Sequence, residues 1–119
     1  MAKRSLRALL SDVVQSTGDI LRVTADADEN TYCSDRDLRR LCERNFQIAG
    51  EALRDVQRHF PDELRYIEDA ENVIRFRHVV VHAYADLDPA MVWRIIREHL
   101  PRLNAQAESH LKSIDAGPA

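Results

Sequence analysis

Glycine is scarce in this chain, with three among 119 residues, and proline is little commoner at four. Aromatic residues make up 6%, while apolar residues reach 45% and charged residues 31%. That balance belongs to a compact helical protein and excludes a disordered one. Two cysteines, Cys33 and Cys42, are too few and wrongly spaced for a metal-ligand set or a disulfide framework. Reduced thiols in the cytoplasm are the expectation. No apolar run approaches membrane-spanning length, and no hydrophobic signal region follows the first five residues. Positive charge is not in excess either: the net charge is −3. A protein gripping long duplexes through phosphate charge should be basic, so any nucleic-acid contact here must be local. Lysine is nearly missing, with Lys3 and Lys112 alone; the other 15 of the 17 cations are arginine. Arginine suits bidentate contacts to phosphate and carboxylate.

What is present is helical periodicity. By length the chain is one domain, 1–119, with 115–119 expected as a frayed tail. Leu6, Leu9, Leu10, Val13, Thr17, Ile20, Leu21 and Thr24 predict a first helix over 5–24, followed by a polar loop from Asp26 to Tyr32. Ser34-Asp35-Arg36-Asp37 resembles a capping box that starts a second helix at Ser34. That helix should end near His59, ahead of Pro61. A further helix follows Pro61, with a break expected near Asp69 to Asn72. Val79-Val80-Val81 could form a strand by propensity, but no partner strand is present. Asp88-Pro89 reads as a cap followed by proline at the first helical position, and Pro101 should kink the last helix. The expected architecture is all-α, an antiparallel bundle of four to five helices.

Within it, Arg77-His78-Val79-Val80-Val81-His82-Ala83-Tyr84 concentrates the chemistry. Arginine can hold a phosphate, and histidine can move a proton near neutral pH. RNA is cleaved most simply when its own 2′-hydroxyl attacks the adjacent phosphorus. That needs a base, an acid and stabilisation of the charged phosphorane, and no metal. Arg77 and His82 could supply these, although they lie about 140° apart on an ideal helix. Two copies around a two-fold axis would bring one subunit's arginine to the other's histidine. From spacing alone, a surface ion-pairing arginine and a capping or core-edge histidine are the favoured reading. His78 and His82 could clamp a metal, with Asp86 or Glu71 as a third ligand. Asn45 interrupts the apolar stripe of the second helix and is the best placed of Arg44, Asn45 and Glu51 to line a cleft. His59, His99 and His110 read as surface histidines, and Trp93 as a core or interface anchor.

Arg77-x4-His82-x-Tyr84 resembles the R-x4-H-x-Y signature of HepT-like toxins in the HEPN superfamily. Three further stretches agree in order. They are Arg44-Asn45-Phe46-Gln47-Ile48-Ala49-Gly50-Glu51-Ala52, Asp88-Pro89-Ala90-Met91-Val92-Trp93, and Leu100-Pro101-x-Leu103. The resemblance spans about Leu6 to Leu111. It implies a HEPN-like bundle and a homodimer whose motifs meet at a cleft. It also implies a metal-independent endoribonuclease, without cofactor, acting on RNA as the toxin of a toxin–antitoxin pair. The implied partner is a minimal nucleotidyltransferase antitoxin of the MntA type, which can neutralise the toxin by adding AMP to the motif tyrosine. On this carry-over Arg77 and His82 are catalytic and Tyr84 is the AMP acceptor, with His78 and Asn45 as support in the cleft. The alternative is a non-catalytic HEPN module that helps a nucleotidyltransferase bind nucleotide or substrate. Two departures stand out: His78 replaces the short polar residue usual after the motif arginine, and Phe60 to Phe76 lacks the tryptophan and Gly-x-Arg common in relatives.

Overall fold

The computed structural model describes residues 4–83, 85 and 87–117. Six α-helices and a 3-10 turn make up the main elements, with no strand among the described residues. α1 is Leu6–Val23, α2 Glu29–Ser34, α3 Arg36–His59, α4 Ala70–His82, α5 Pro89–Glu98 and α6 Leu100–Ala116; the 3-10 turn is Pro61–Tyr66. The all-α bundle is the one the periodicity predicts. No described helix is long and apolar enough to cross a membrane.

The helix ends follow local chemistry. Ser5 caps α1 by accepting from the Ala8 amide, and the helix stops at Thr24. The start of α3 lies one residue later than the sequence suggests. Asp35, not Ser34, accepts from the Leu38 amide. Ser34 instead ends α2, its hydroxyl donating to the Asn30 carbonyl at 2.7 Å. α2 itself occupies the segment expected to be a loop. Asp28 caps it at Thr31, and its buried Tyr32 ring lies 5.6 Å from that of Trp93. Pro101 does not kink one helix. The chain breaks at His99, and proline in the first turn of α6 starts a new helix, where its missing amide is harmless. α6 continues to Ala116, beyond the expected end near Ile114, and Arg7 pairs with Asp115 at 2.7 Å.

α1 packs between α3 and α6, α4 rests chiefly on α3, and α2 and α5 pack together. Leu9, Leu10, Val13 and Ile20 of α1 meet Phe46, Leu53 and Val56 of α3 in one core. Two threonines inside it are satisfied by their own helix, while the buried Tyr32 hydroxyl has no partner among the described residues. Thr17 and Thr24 donate to the Val13 and Ile20 carbonyls at 2.6 and 2.7 Å. Asn104 of α6 donates to the Val14 carbonyl and to Thr17 Oγ1, tying α6 to α1. His110 is buried, not at the surface as expected. Its Nε2 lies 2.6 Å from Glu63 Oε2, and its ring stacks on Tyr66 at 4.2 Å. That pairing joins α6 to the 3-10 turn.

Candidate functional site: the Arg77–His82 helix and its glycine notch

α4 carries the motif, and its sequence divides into two faces. Val73, Phe76 and Val80 are buried. Phe76 meets Phe46 of α3 edge-on, with ring centroids 5.0 Å apart. His78 and His82 lie on the exposed side, one turn apart. Their rings sit 4.5 Å apart at 46°, so they form one imidazole surface at the helix C-terminus.

Arg77 occupies the seam between the two helices. Its stem lies against Gly50 of α3: a Cβ added at Gly50 would come within 2.3 Å of Arg77 Cβ and 2.9 Å of Cγ. Glycine here is a steric requirement, because any side chain would occupy the arginine's place. The seam buries Arg77 Nε, which has no hydrogen-bond partner among the described residues. Arg77 makes no ion pair among the described residues. A buried N–H left unpaired costs about 1–3 kcal/mol, more on a charged group, so it calls for an explanation such as a bound ligand. With its stem fixed and no ion pair among the described residues, the Arg77 guanidinium has donors that suit a carboxylate or phosphate.

The motif residues are therefore brought onto one helix but not onto one face. Arg77 leans into the α3 seam while His82 and His78 look outward, consistent with the roughly 140° between Arg77 and His82. Tyr84 and Asp86 lie outside the described residues. Asn45 is not gathered to the motif within this chain. It is half-buried on the α1 side of α3, in a groove with Asp12, Gln15 and Asp19, and its amide donates to the Leu41 carbonyl at 3.0 Å. The physical reason is rotation: five residues turn the helix about 140°, so Asn45 faces away from the α4-bearing side marked by Gly50. Arg44 and Glu51 are exposed. Glu71 lies three turns before His82 on α4, too far to complete a metal site. No group of three histidine, cysteine or acidic residues among the described residues could hold a metal. Trp93 is a core residue, buried beneath the Arg97 guanidinium at 4.4 Å.

Two further features of α3 bear on the site. Gly50 is the one glycine inside the 24-residue helix α3, and an isolated helical glycine signals close backbone approach. Arg36, Arg39 and Arg40 gather at the positive end of α3 around a small cavity; their spacing of one turn was a legible signal.

Among the described residues, fold and site together define a helical bundle that presents an arginine without a partner and a histidine pair from a single helix. This chain belongs to the HepT-like ribonuclease family, described as Ribonuclease HepT-like, which it matches over residues 13–110. Among similar proteins is one named "Putative RNase" from Methanocaldococcus jannaschii, 28% identical over 108 residues, covering 91% of this chain and 98% of the relative. Another of that name and organism is 23% identical over 115 residues, covering 97% of this chain and 98% of the relative. A protein named "Probable ribonuclease HepT" from Thermococcus cleftensis is 26% identical over 109 residues, covering 89% and 96%. No solved structure matches the chain significantly.

Proposed function

We propose that this protein is a metal-independent endoribonuclease that acts as the toxin of a toxin–antitoxin pair. The observation that carries the reading is Arg77: stem fixed against Gly50, Nε buried without a partner among the described residues, on the helix that ends in His82. The names of its relatives support the same activity. In this reading the Arg77 guanidinium binds the non-bridging oxygens of the scissile phosphate and stabilises the phosphorane. One His82 imidazole accepts the 2′-hydroxyl proton as the 2′-oxygen attacks phosphorus. The P–O5′ bond breaks, and an imidazolium returns a proton to the departing 5′-oxygen. The products are a 2′,3′-cyclic phosphate and a 5′-hydroxyl. Because one helix turns Arg77 and His82 to different sides, two copies of the chain complete one cleft. His78, against His82, supports the orientation of its ring. A nucleotidyltransferase antitoxin neutralises the toxin by transferring AMP to Tyr84.

RNA cleavage and cell growth on expression test this with wild type, Arg77→Ala and His82→Ala. Wild type should cleave and arrest growth, and each variant should lose about 100-fold or more in rate. Inert, harmless wild type would sink the reading. Mass spectrometry of the Tyr84 peptide after co-expression with the antitoxin tests AMP transfer; an unmodified peptide in an inhibited complex would replace it by inhibition through binding.

A further inference from the structure

The face of α3 that carries α4 does not end where α4 ends. α4 begins beside the C-terminal end of α3, and the chain leaving it passes the N-terminal end, where Leu87 and Pro89 lie against Arg36, so the two helices run antiparallel. Arg36, Glu43 and Gly50 are spaced by seven and share one face. Gly50 meets Arg77. At 1.5 Å per residue, His82 therefore lies about level with residue 45 of α3, and Arg40 and Arg36 lie roughly 7 and 14 Å further along. There Arg36, Arg39, Arg40, Glu43, Leu87 and Pro89 enclose a cavity of about 190 Å³. Water occupies about 30 Å³ per molecule, so a phosphate group fits.

These arginines are not explained by folding. Cations at the positive end of a helix work against its dipole. Arg39 is held, its guanidinium donating to the Cys33 carbonyl. Arg36 and Arg40 are exposed and make no hydrogen bond or ion pair among the described residues. Of the nearby carboxylates, Asp35 is engaged by the Leu38 amide, and Asp37 lies about 100° round the helix from Arg36. Glu43 faces the cavity, and burial raises its carboxyl above the ordinary range while Arg39 and Arg40 pull it back down.

We propose that Arg36 and Arg40 bind phosphates of the RNA strand beside the scissile one. This rests on the ribonuclease reading and gives it a substrate path. At about 3.4 Å per stacked nucleotide, the two arginines fall roughly two and four nucleotides from the phosphate at His82. The pocket thereby supplies the local contact that an acidic chain needs, and the substrate is single-stranded RNA long enough to reach it. The strand runs along the α4-bearing face of α3, with Leu87 and Pro89 on the far side of the cavity.

Full-length wild type, Arg36→Gln/Arg40→Gln and Glu43→Gln are compared on single-stranded RNA of about 20 nucleotides, longer than most single-strand sites. Binding is read by fluorescence anisotropy over a salt series, using 2′-O-methyl RNA, which cannot attack its own phosphate. The double variant should bind about tenfold more weakly, and its log–log salt slope should be shallower by about 1.4, at roughly 0.7 per phosphate lost. Its loss of kcat/KM on unmodified RNA should shrink as the RNA is shortened below the reach of the pocket. Glu43→Gln should shift affinity the other way. Melting temperatures should change little, since Arg36 and Arg40 make no hydrogen bond or ion pair among the described residues and only Arg40's charge acts on Glu43. If wild type cleaves while the double variant matches it in slope and kcat/KM, the inference is wrong and the ribonuclease reading stands; loss of antitoxin capture by that variant would then make the pocket a protein-docking site. If wild type neither binds nor cleaves RNA, the ribonuclease reading itself fails.

Discussion

Replacing Gly50 by alanine is the sharpest test of how the motif arginine is positioned. The added Cβ would lie 2.3 Å from Arg77 Cβ, 2.9 Å from its Cγ and 3.2 Å from the Val73 carbonyl oxygen. Ordinary contact begins at 3.4 Å, so the α3–α4 seam must open by about 1.1 Å, the difference between 3.4 and 2.3. The closest atoms are the root of a side chain and a backbone carbonyl, so no rotamer change relieves the clash. Overpacking of this kind costs about 1–3 kcal/mol. Alanine recovers about 0.8–1.0 kcal/mol through helix propensity. The expected net destabilisation is thus about 0–2 kcal/mol, read from urea unfolding. Activity should suffer more. Displacing a phosphate-binding group by about 1 Å can lower the rate about 100-fold. Gly50→Ala should therefore remain folded while its RNA cleavage falls by about that factor. A variant stabilised by about 1 kcal/mol and fully active would show that the seam opens freely, and the notch argument would be wrong.

Other expectations follow from local chemistry. Asp35→Ala should lower stability by about 1 kcal/mol through loss of the α3 cap, while Ser34→Ala should change it by less than about 0.5 kcal/mol; equal effects in chemical denaturation would return the cap to Ser34. Burial pushes the Cys42 thiol up to about 12, so in native protein a thiol reagent near neutral pH should leave Cys42 unlabelled until the chain unfolds. Folding raises the Glu43 carboxyl above its ordinary 4.5, so the folded chain keeps that proton to higher pH than the unfolded chain. Its stability contribution is complete below 4.5 and lost as pH rises through the folded value. Glu43→Gln should flatten that part of the stability–pH curve, and an unchanged curve would contradict the burial argument. Glu63→Gln should cost about 1–3 kcal/mol by weakening the bond to buried His110, visible as a lower melting temperature.

The elements that were legible in sequence owe their form to neighbours within a few residues. Ser5, Pro61 and the Asp88-Pro89 pair fix helix ends through local geometry, and α1 and α3 advertise themselves through long apolar periods. α2 is too short for a period to register. Six residues with one buried side chain, Tyr32, look like a polar loop until the Asp28 cap is seen. His110 was misplaced because its partner Glu63 lies 47 residues away. Asn45 illustrates a different limit. α3 packs against both α1 and α4, so a polar residue on its stripe could face either, and sequence does not choose. The motif residues were recognisable as chemistry, but the support for Arg77 was not, because the seam with Gly50 joins residues 27 positions apart.

The way α4 is attached has a consequence for motion. α1 is flanked by α3 and α6, whereas α4 leans chiefly on one neighbour through Val73, Phe76 and Val80. Its amides should thus exchange with solvent by a separate, partial opening, ahead of those of α1, in which the rest of the bundle stays intact. Such an opening lifts Arg77 out of the notch at Gly50 and separates it from the remainder of the molecule. Whatever covers the outer face of α4, RNA or protein, then stabilises that one helix and suppresses its exchange. The helix that carries Arg77 and His82 should then behave as a panel that opens by itself rather than as a pillar of the bundle.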